Sequence, residues 1–470
     1  MSRPSSSHHL RDRHVTMIAM GGIIGAGLFM GSGAVLAQVG PGSFLTYAVT
    51  GVLILFVMRM LGEMAAARPS VGSFTEYARS ALGDWAGFAM AWLYWYFWVV
   101  IVGFEAVAGA ELLQRWVHLP KWVLALALIM LMTATNLRST RSYGEFEYWF
   151  AGIKVLAIIL FIGLGLAYVT GMFPGKGADI SHLYADGGLL PHGGGVVFTA
   201  VAAVVLSMVG AEIVTVAAAE SKTPQRSITK ATNTVLMRIS VFYVGSMFLV
   251  AAIVPWATAK PGQSPYVSAL DIMGIPYGGD IMNIVVLFAV LSCLNSGLFT
   301  ASRMLFVLAR RNEAPQRMLK RNDRGVPMWA ILASTLGGYV CVGAAYLSPD
   351  GIFSFLLNSS GAVVLIIYLL ICLSQLKLRP VLAREHPGGL PVKMWAHPIL
   401  PIVTAAGIVA ILAGMALDED TRSQVALSVV AFAICAGIYP VVRMVKRRAG
   451  ERMNTTDQSV DDAVPAIRGE

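Results

Sequence analysis

Apolar runs recur along nearly the whole chain, and each is close to the roughly 20 residues that a helix needs to cross a bilayer. Twelve are read, at 15–37, 43–66, 85–113, 122–138, 148–170, 196–219, 236–258, 280–309, 328–347, 353–376, 398–417 and 424–445. A helix bonds its own backbone N–H and C=O groups, which lipid requires because it offers none in return. The composition agrees: only 13% of the residues are charged, where a soluble domain carries about twice that share. The expectation is therefore an all-α integral membrane protein with twelve transmembrane helices. No cleavable leader is expected, since the first run is long and no small-residue cleavage site follows it.

A net charge of +9 invites a nucleic-acid reading, but the distribution of the basic residues argues against one. With both termini on one side, the odd-numbered loops hold only Arg115, Lys121, Lys176, Lys260 and Arg422. Nearly all the other lysines and arginines fall in the tails and the even-numbered loops. This is a positive-inside bias, and it places both termini in the cytoplasm. No nucleic-acid partner is expected, and the bilayer itself is the partner that the charges read. All four cysteines, Cys293, Cys341, Cys372 and Cys435, lie in apolar runs, so no external disulfide is expected. No Cys/His cluster suggests a metal, and no cofactor is expected. The polar tails at 1–14 and 446–470 read as disordered. Between them lie ten helices over 15–376 and a final pair over 398–445.

Within the first run, Gly21-Gly22-Ile23-Ile24-Gly25-Ala26-Gly27 places four glycines in seven residues. Each glycine costs a helix up to about 1 kcal/mol against alanine. Such a stretch suits a helix that breaks in mid-membrane and turns bare amides toward a buried cavity, where they can hold a carboxylate. A seam of small residues packed against another helix explains the glycines equally well. The sixth run carries a second breakable stretch, Leu206-Ser207-Met208-Val209-Gly210-Ala211-Glu212, with a glycine joint and an acid at its centre. Two interrupted helices five apart are what two inverted five-helix repeats would leave in a sequence, 15–170 and 196–376, with a binding site where the broken helices cross.

Charged residues inside the runs are functional candidates by default. Glu105 lies one or two turns beyond the aromatic run Trp92, Tyr94, Trp95, Tyr96, Phe97 and Trp98. That run holds more rings than an interfacial anchor needs, so some are expected to face a cavity. Lys154 lies nearly two turns into the fifth run; it either snorkels to the headgroups or sits in a dry site. Glu111 is expected at the interface. The loop at 65–84 has helical potential and reads as an interfacial connector or a gate. Ser292-Cys293-Leu294-Asn295-Ser296-Gly297 and Asn358-Ser359-Ser360-Gly361 are small and polar, suited to lining a cavity or to helix packing.

These stretches resemble the amino acid transporter branch of the amino acid–polyamine–organocation superfamily over nearly the whole chain. Gly22-Ile23-Ile24-Gly25-Ala26-Gly27-Leu28-Phe29, Trp92 to Trp98 and Ala289 to Gly297 carry the likeness to the branch. Gly210-Ala211-Glu212-Ile213-Val214-Thr215-Val216-Ala217-Ala218-Ala219-Glu220-Ser221 leans toward the bacterial GABA (4-aminobutyrate) permeases. The resemblance implies a five-plus-five inverted repeat with helices one and six broken (the LeuT-like fold). It also implies proton-coupled import of a small zwitterionic amino acid across the bacterial inner membrane by alternating access. On that likeness Ile23, Gly25, Ala26 and Gly27 offer backbone groups to the substrate carboxylate. Leu206, Ser207 and Val209 meet the ammonium, and Asn295 and Ser296 close the back of the site. Lys154 stands where a sodium ion acts in other members and carries the proton. Glu105, Glu212 and the backbone near Gly210 are further candidates for the ammonium of an ω-amino acid, whose charges stand farther apart. The branch usually has aromatic residues in the sixth-helix joint, where this chain has Leu206 and Met208. That departure leaves proline, β-alanine, aromatic and other α-amino acids open as substrates, and exchange open beside symport. A channel would favour rings of charge or carbonyls, and an enzyme would need a catalytic grouping that the runs lack. Monomer and homo-oligomer are both compatible with the sequence.

Overall fold

The protein is seen here in a computed structural model that describes residues 24–69, 73–138, 143–173, 179–210, 212, 228–229, 232, 239–322, 325–347 and 352–448. Among the described residues, the regular structure is helical throughout. The chain opens with α1 (Ala26–Phe29), α2 (Gly31–Val39), α3 (Ser43–Ala67), the short α4 (Ser73–Leu82), α5 (Asp84–Leu113), α6 (Lys121–Arg138) and α7 (Tyr143–Val169). It continues with α8 (Val196–Thr199), α9 (Val201–Met208), a π-helical turn at Ile239–Gly245, α10 (Ser246–Ile253) and α11 (Pro265–Met273). The last five are α12 (Gly278–Arg310), α13 (Met328–Leu347), α14 (Ile352–Glu385), α15 (Ile399–Leu417) and α16 (Arg422–Arg448). Nine of these, α3, α5 to α7 and α12 to α16, are long and apolar enough to cross a membrane. The shorter apolar segments Ala26–Val39, Val196–Met208 and Ile239–Ile253 fall in the first, sixth and seventh runs.

Burial sorts the long helices into a core and a lipid-facing shell. In α5 and α14, 83% of the apolar window is buried, against 17% in α16 and 28% in α7. α5 and α14 therefore form the inner wall, and the exposed leucines, isoleucines and valines of α7 and α16 meet lipid. Close approach at the centre depends on a missing side chain. A Cβ on Gly361 of α14 would run into the Ala202 backbone of α9, which is the small-residue contact expected where helices touch in a membrane.

Several elements depart from the sequence reading, each for a local reason. The seventh run ends at Ile253, because Pro255 follows and Val254 is extended. The loop after it contains α11, which begins with Pro265 in its first turn and stops at left-handed Gly274. The tenth helix continues past 376 to Glu385, with Pro380 inside it. The polar loop at 65–84 does form a helix, α4, with Phe74, Tyr77, Ala78 and Ala81 buried. The tails at 1–14 and 449–470 lie outside the described residues.

A buried ionic latch holds the α4 end of the bundle together. Glu63 of α3 is fully buried and accepts hydrogen bonds from Gln375 Nε2 (2.8 Å), Arg379 Nη1 and the backbone N–H of Met394 (2.6 Å). Beside it, Arg59 donates to the Lys393 carbonyl (2.8 Å) and lies over the Trp395 ring. α3, α14 and the loop that follows α14 are thus tied through one carboxylate. Glu63→Ala leaves a guanidinium and an N–H with no partner, so it is expected to lower the unfolding free energy by about 3–5 kcal/mol. Thermal melting of the purified variant checks this, and an unchanged melting temperature would contradict the latch.

Candidate functional site

Two helix ends meet at the centre of the bundle. In the first, Gly25 is extended (φ −135°, ψ −156°) and α1 begins at Ala26. In the second, α9 stops at Met208, Val209 is extended, and Gly210 takes φ +103°, a conformation that suits glycine. Stopping there frees the carbonyls of the last α9 turn from regular helical pairing. The two breaks touch: a Cβ on Gly27 would lie 2.8 Å from the Ser207 Cα. Ile23 and the glycines at 21 and 22 lie outside the described residues, as do Ala211 and 213–227.

Opposite the first break stands Glu105 of α5, which is 3% exposed. The Ala26 N–H donates to both of its carboxylate oxygens, at 3.3 Å each. A Cβ on Gly25 would lie 2.7 Å from Glu105 Oε1 and 2.9 Å from the Cys293 thiol of α12. The bare backbone at Gly25 and Ala26 is therefore walled by a carboxylate and a thiol. Of the amides read as a carboxylate cradle, that of Ala26 already faces a resident carboxylate.

Lys154 is 1% exposed and does not reach the headgroups. Its ammonium donates to Ser292 Oγ at 3.0 Å, tying α7 to α12 one residue before Cys293. Lys154 and Glu105 thus meet α12 at adjacent residues. Glu111, expected at the interface, pairs with Lys121 at 2.7 Å.

Glu212 sits just beyond the second break, also buried. Its carboxylate accepts from the Gly210 N–H (3.1 Å) and from the hydroxyls of Tyr94 and Tyr368 (3.4 Å each). Donors from α5, α14 and the joint itself already point at it. Ser207 turns its hydroxyl back to the Val204 carbonyl (2.7 Å), which leaves its backbone facing α1. Leu206 and Val209 are buried beside it, and Ser296 is buried on α12. Asn295 is placed elsewhere: its Oδ1 accepts from Asn136 Nδ2 of α6 at 2.7 Å, so it joins α12 to α6. The aromatic run divides between two faces. Tyr94, Phe97 and Trp98 are buried, while Trp95 donates to Ser334 of α13 (3.1 Å). The Trp98 ring is buried close to Gly297. A cavity of about 640 Å³ lies at the end of the bundle near the Gly40–Gly42 turn, lined in part by Gln38, Asn358, Asp420 and Gln424; of the stretches singled out in the sequence only Asn358 lines it, and none of the residues read as meeting substrate or proton does.

Reading residues alone gives no sign of Tyr368, and it places Tyr94 and Cys293 only within stretches suited to a cavity, without their partners. Cys293 lies inside the small polar stretch of α12, so a signal was there. Tyr368 carries the only polar side-chain oxygen between Gly361 and Cys372, and nothing in its sequence surroundings points to Glu212.

Comparison with known proteins decides the class. The amino acid permease family model matches residues 14–453. The chain belongs to the amino acid permease family. Among curated relatives, the permease is 46% identical to the gamma-aminobutyric acid permease of Bacillus subtilis, over 99% of both chains. It is 45% identical to a probable GABA permease of Pseudomonas aeruginosa, over 94% of both. It is 43% identical to the gamma-aminobutyric acid permease of Escherichia coli, over 90% of this chain and 92% of that one. The permease is accordingly a multi-pass membrane carrier for an amino acid, and not an enzyme.

If the Gly25 backbone is read by the substrate, a single added methyl is intolerable. Gly25→Ala forces Glu105 and Cys293 aside, an overpacking that costs about 1–3 kcal/mol. Substrate binding by folded, purified Gly25→Ala is expected to weaken about tenfold or more, and Gly25→Val is expected to abolish it. Unchanged binding in both would make the stretch a packing seam.

Proposed function

We propose that this permease is a proton-coupled symporter that imports 4-aminobutyrate across the cytoplasmic membrane by alternating access. The observation that carries the reading is the full-length likeness to three relatives whose names specify that substrate. The orientation has both termini in the cytoplasm, on the positive-inside distribution of lysine and arginine. The architecture is the five-plus-five inverted repeat, which the two breaks five helices apart support.

A zwitterion crosses lipid only if fixed dipoles replace the water around both of its charges. The backbone from Ile23 to Gly27 serves the carboxylate, and the carbonyls near Leu206, Ser207 and Val209 serve the ammonium, with Ser296 on the α12 wall. Glu105 bears on both ends. It competes with the substrate carboxylate for the Ala26 N–H, and once displaced it is an acceptor for an ammonium standing two methylenes farther out. Glu212 acts at one remove, holding the joint at Gly210 through Tyr94 and Tyr368. Asn295 contributes by fixing α12 against α6.

Lys154 carries the proton. Charged, its ammonium bonds Ser292 and braces α7 on α12; neutral, it releases that brace.

Two measurements on proteoliposomes test the reading. Lys154→Met is expected to lose accumulation driven by a proton gradient while keeping counterflow of labelled substrate; normal gradient-driven accumulation would overturn its role. A panel of ω- and α-amino acids competing against labelled 4-aminobutyrate, with and without the gradient, is expected to rank the ω-amino acids first. A panel led by α-amino acids would reassign the substrate.

A further inference from the structure

Among its described residues, the loop that joins α12 to α13 separates its charges by sign; Asp323 and Arg324 lie outside them. The described acid, Glu313, is buried and pairs with Arg79 of α4 at 3.0 Å. Arg79 also reaches Asp84 (3.3 Å), and Arg311 pairs with Glu76 of α4 at 2.6 Å. These four-sided contacts consume Glu76 and Glu313 on the inner side of the loop. On the outer side Arg310, Arg317, Lys320 and Arg321 are exposed, as is Arg138 at the end of α6. Among the described residues none of these five makes an ion pair.

The loop is also held at a defined height. Gln316 Nε2 donates to the Ala309 carbonyl (2.7 Å), and Asn322 Nδ2 donates to the Leu137 carbonyl of α6 (3.3 Å). The Arg321 guanidinium folds back over the Phe306 ring, 4.9 Å from its centroid and one turn inside the end of α12. Trp329 is 44% exposed at the start of α13, the helix against which the 316–319 turn packs, and the exposed Leu332 and Leu336 follow along the same helix. Exposed tryptophan marks the headgroup level of a membrane, and exposed leucine marks the acyl chains. The cations therefore stand at headgroup height above an apolar strip, a pattern that fits an anionic lipid.

We propose that the outer face of the 310–322 loop binds an anionic phospholipid of the cytoplasmic leaflet. Arg317, Lys320 and Arg321 hold the phosphate, Arg138 flanks it, and the acyl chains lie along Trp329, Leu332 and Leu336. This rests on the cytoplasmic placement of that loop given above, but not on the identity of the substrate. Because the inner side of the same loop pins α4, the bound lipid steadies α4 against the bundle.

The test is native mass spectrometry of the full-length permease titrated with phosphatidylglycerol or with phosphatidylethanolamine. Wild-type protein is expected to prefer phosphatidylglycerol, and to lose the preference in high salt as screening predicts. R317Q/K320Q/R321Q is expected to bind phosphatidylglycerol roughly a hundredfold more weakly, from the loss of three headgroup-level cations. K377Q/R384Q, which removes two cations from α14 and leaves the three of the loop in place, is expected to lose markedly less than R317Q/K320Q/R321Q. Equal binding by R317Q/K320Q/R321Q and wild type, an equal loss in the K377Q/R384Q control, or a wild-type preference indifferent to salt would each overturn the proposal. Substrate counterflow measured alongside separates a failure here from a failure of the transport reading, because counterflow in phosphatidylethanolamine does not depend on this patch.

Discussion

A polar backbone group in the middle of a membrane must find a partner, and the centre of this molecule is built on that demand. Two helices end deep in the bundle, one beginning at Ala26 and one stopping at Met208. Their freed groups are costly unless something polar meets them. Glu105 answers the first break, through the Ala26 N–H. The Gly210 turn and Glu212 answer the second. On the proposed reading, these partners are what a passing zwitterion replaces, because it brings a carboxylate and an ammonium of its own.

The surrounding helices keep the breaks open and close together. α5 and α14 contribute side chains to both: Glu105 and Tyr94 from one, Tyr368 from the other. α12 contributes Ser292 and Cys293, which bring Lys154 and Glu105 to adjacent positions. On the proposed reading, a lysine and a carboxylate meeting the same turn of one helix give proton movement and substrate movement a shared mechanical element. Their geometry also explains why the Gly25 position admits no Cβ: the space is already filled by the Glu105 carboxylate and the Cys293 side chain.

Much of this was legible in the sequence. The apolar runs set the helices, and the glycine stretches set the breaks, because helix propensity and backbone satisfaction are local properties. Lys154 and Glu105 stood out because intramembrane charge is expensive wherever it falls. What stayed hidden was partnership. Nothing in the residues around Glu105 says that the Ala26 N–H, 79 positions away, will point at it. Nothing around Asn295 says that Asn136 will take its amide oxygen and turn it toward α6. Likewise Tyr368 reads as one more core residue until Glu212 is seen beside it. The π-helical turn at Ile239–Gly245 was not anticipated, and α11 was passed over although its Ser264-Pro265 start and Gly274 stop were both in view.

The most direct test of this account is an experimental structure of the permease with 4-aminobutyrate bound. It should place the carboxylate against the backbone at Gly25 to Gly27, with Glu105 moved off the Ala26 N–H, and the ammonium near the α9 carbonyls. Substrate found instead in the cavity lined by Gln38, Asn358, Asp420 and Gln424, with Glu105 still on Ala26, would contradict it.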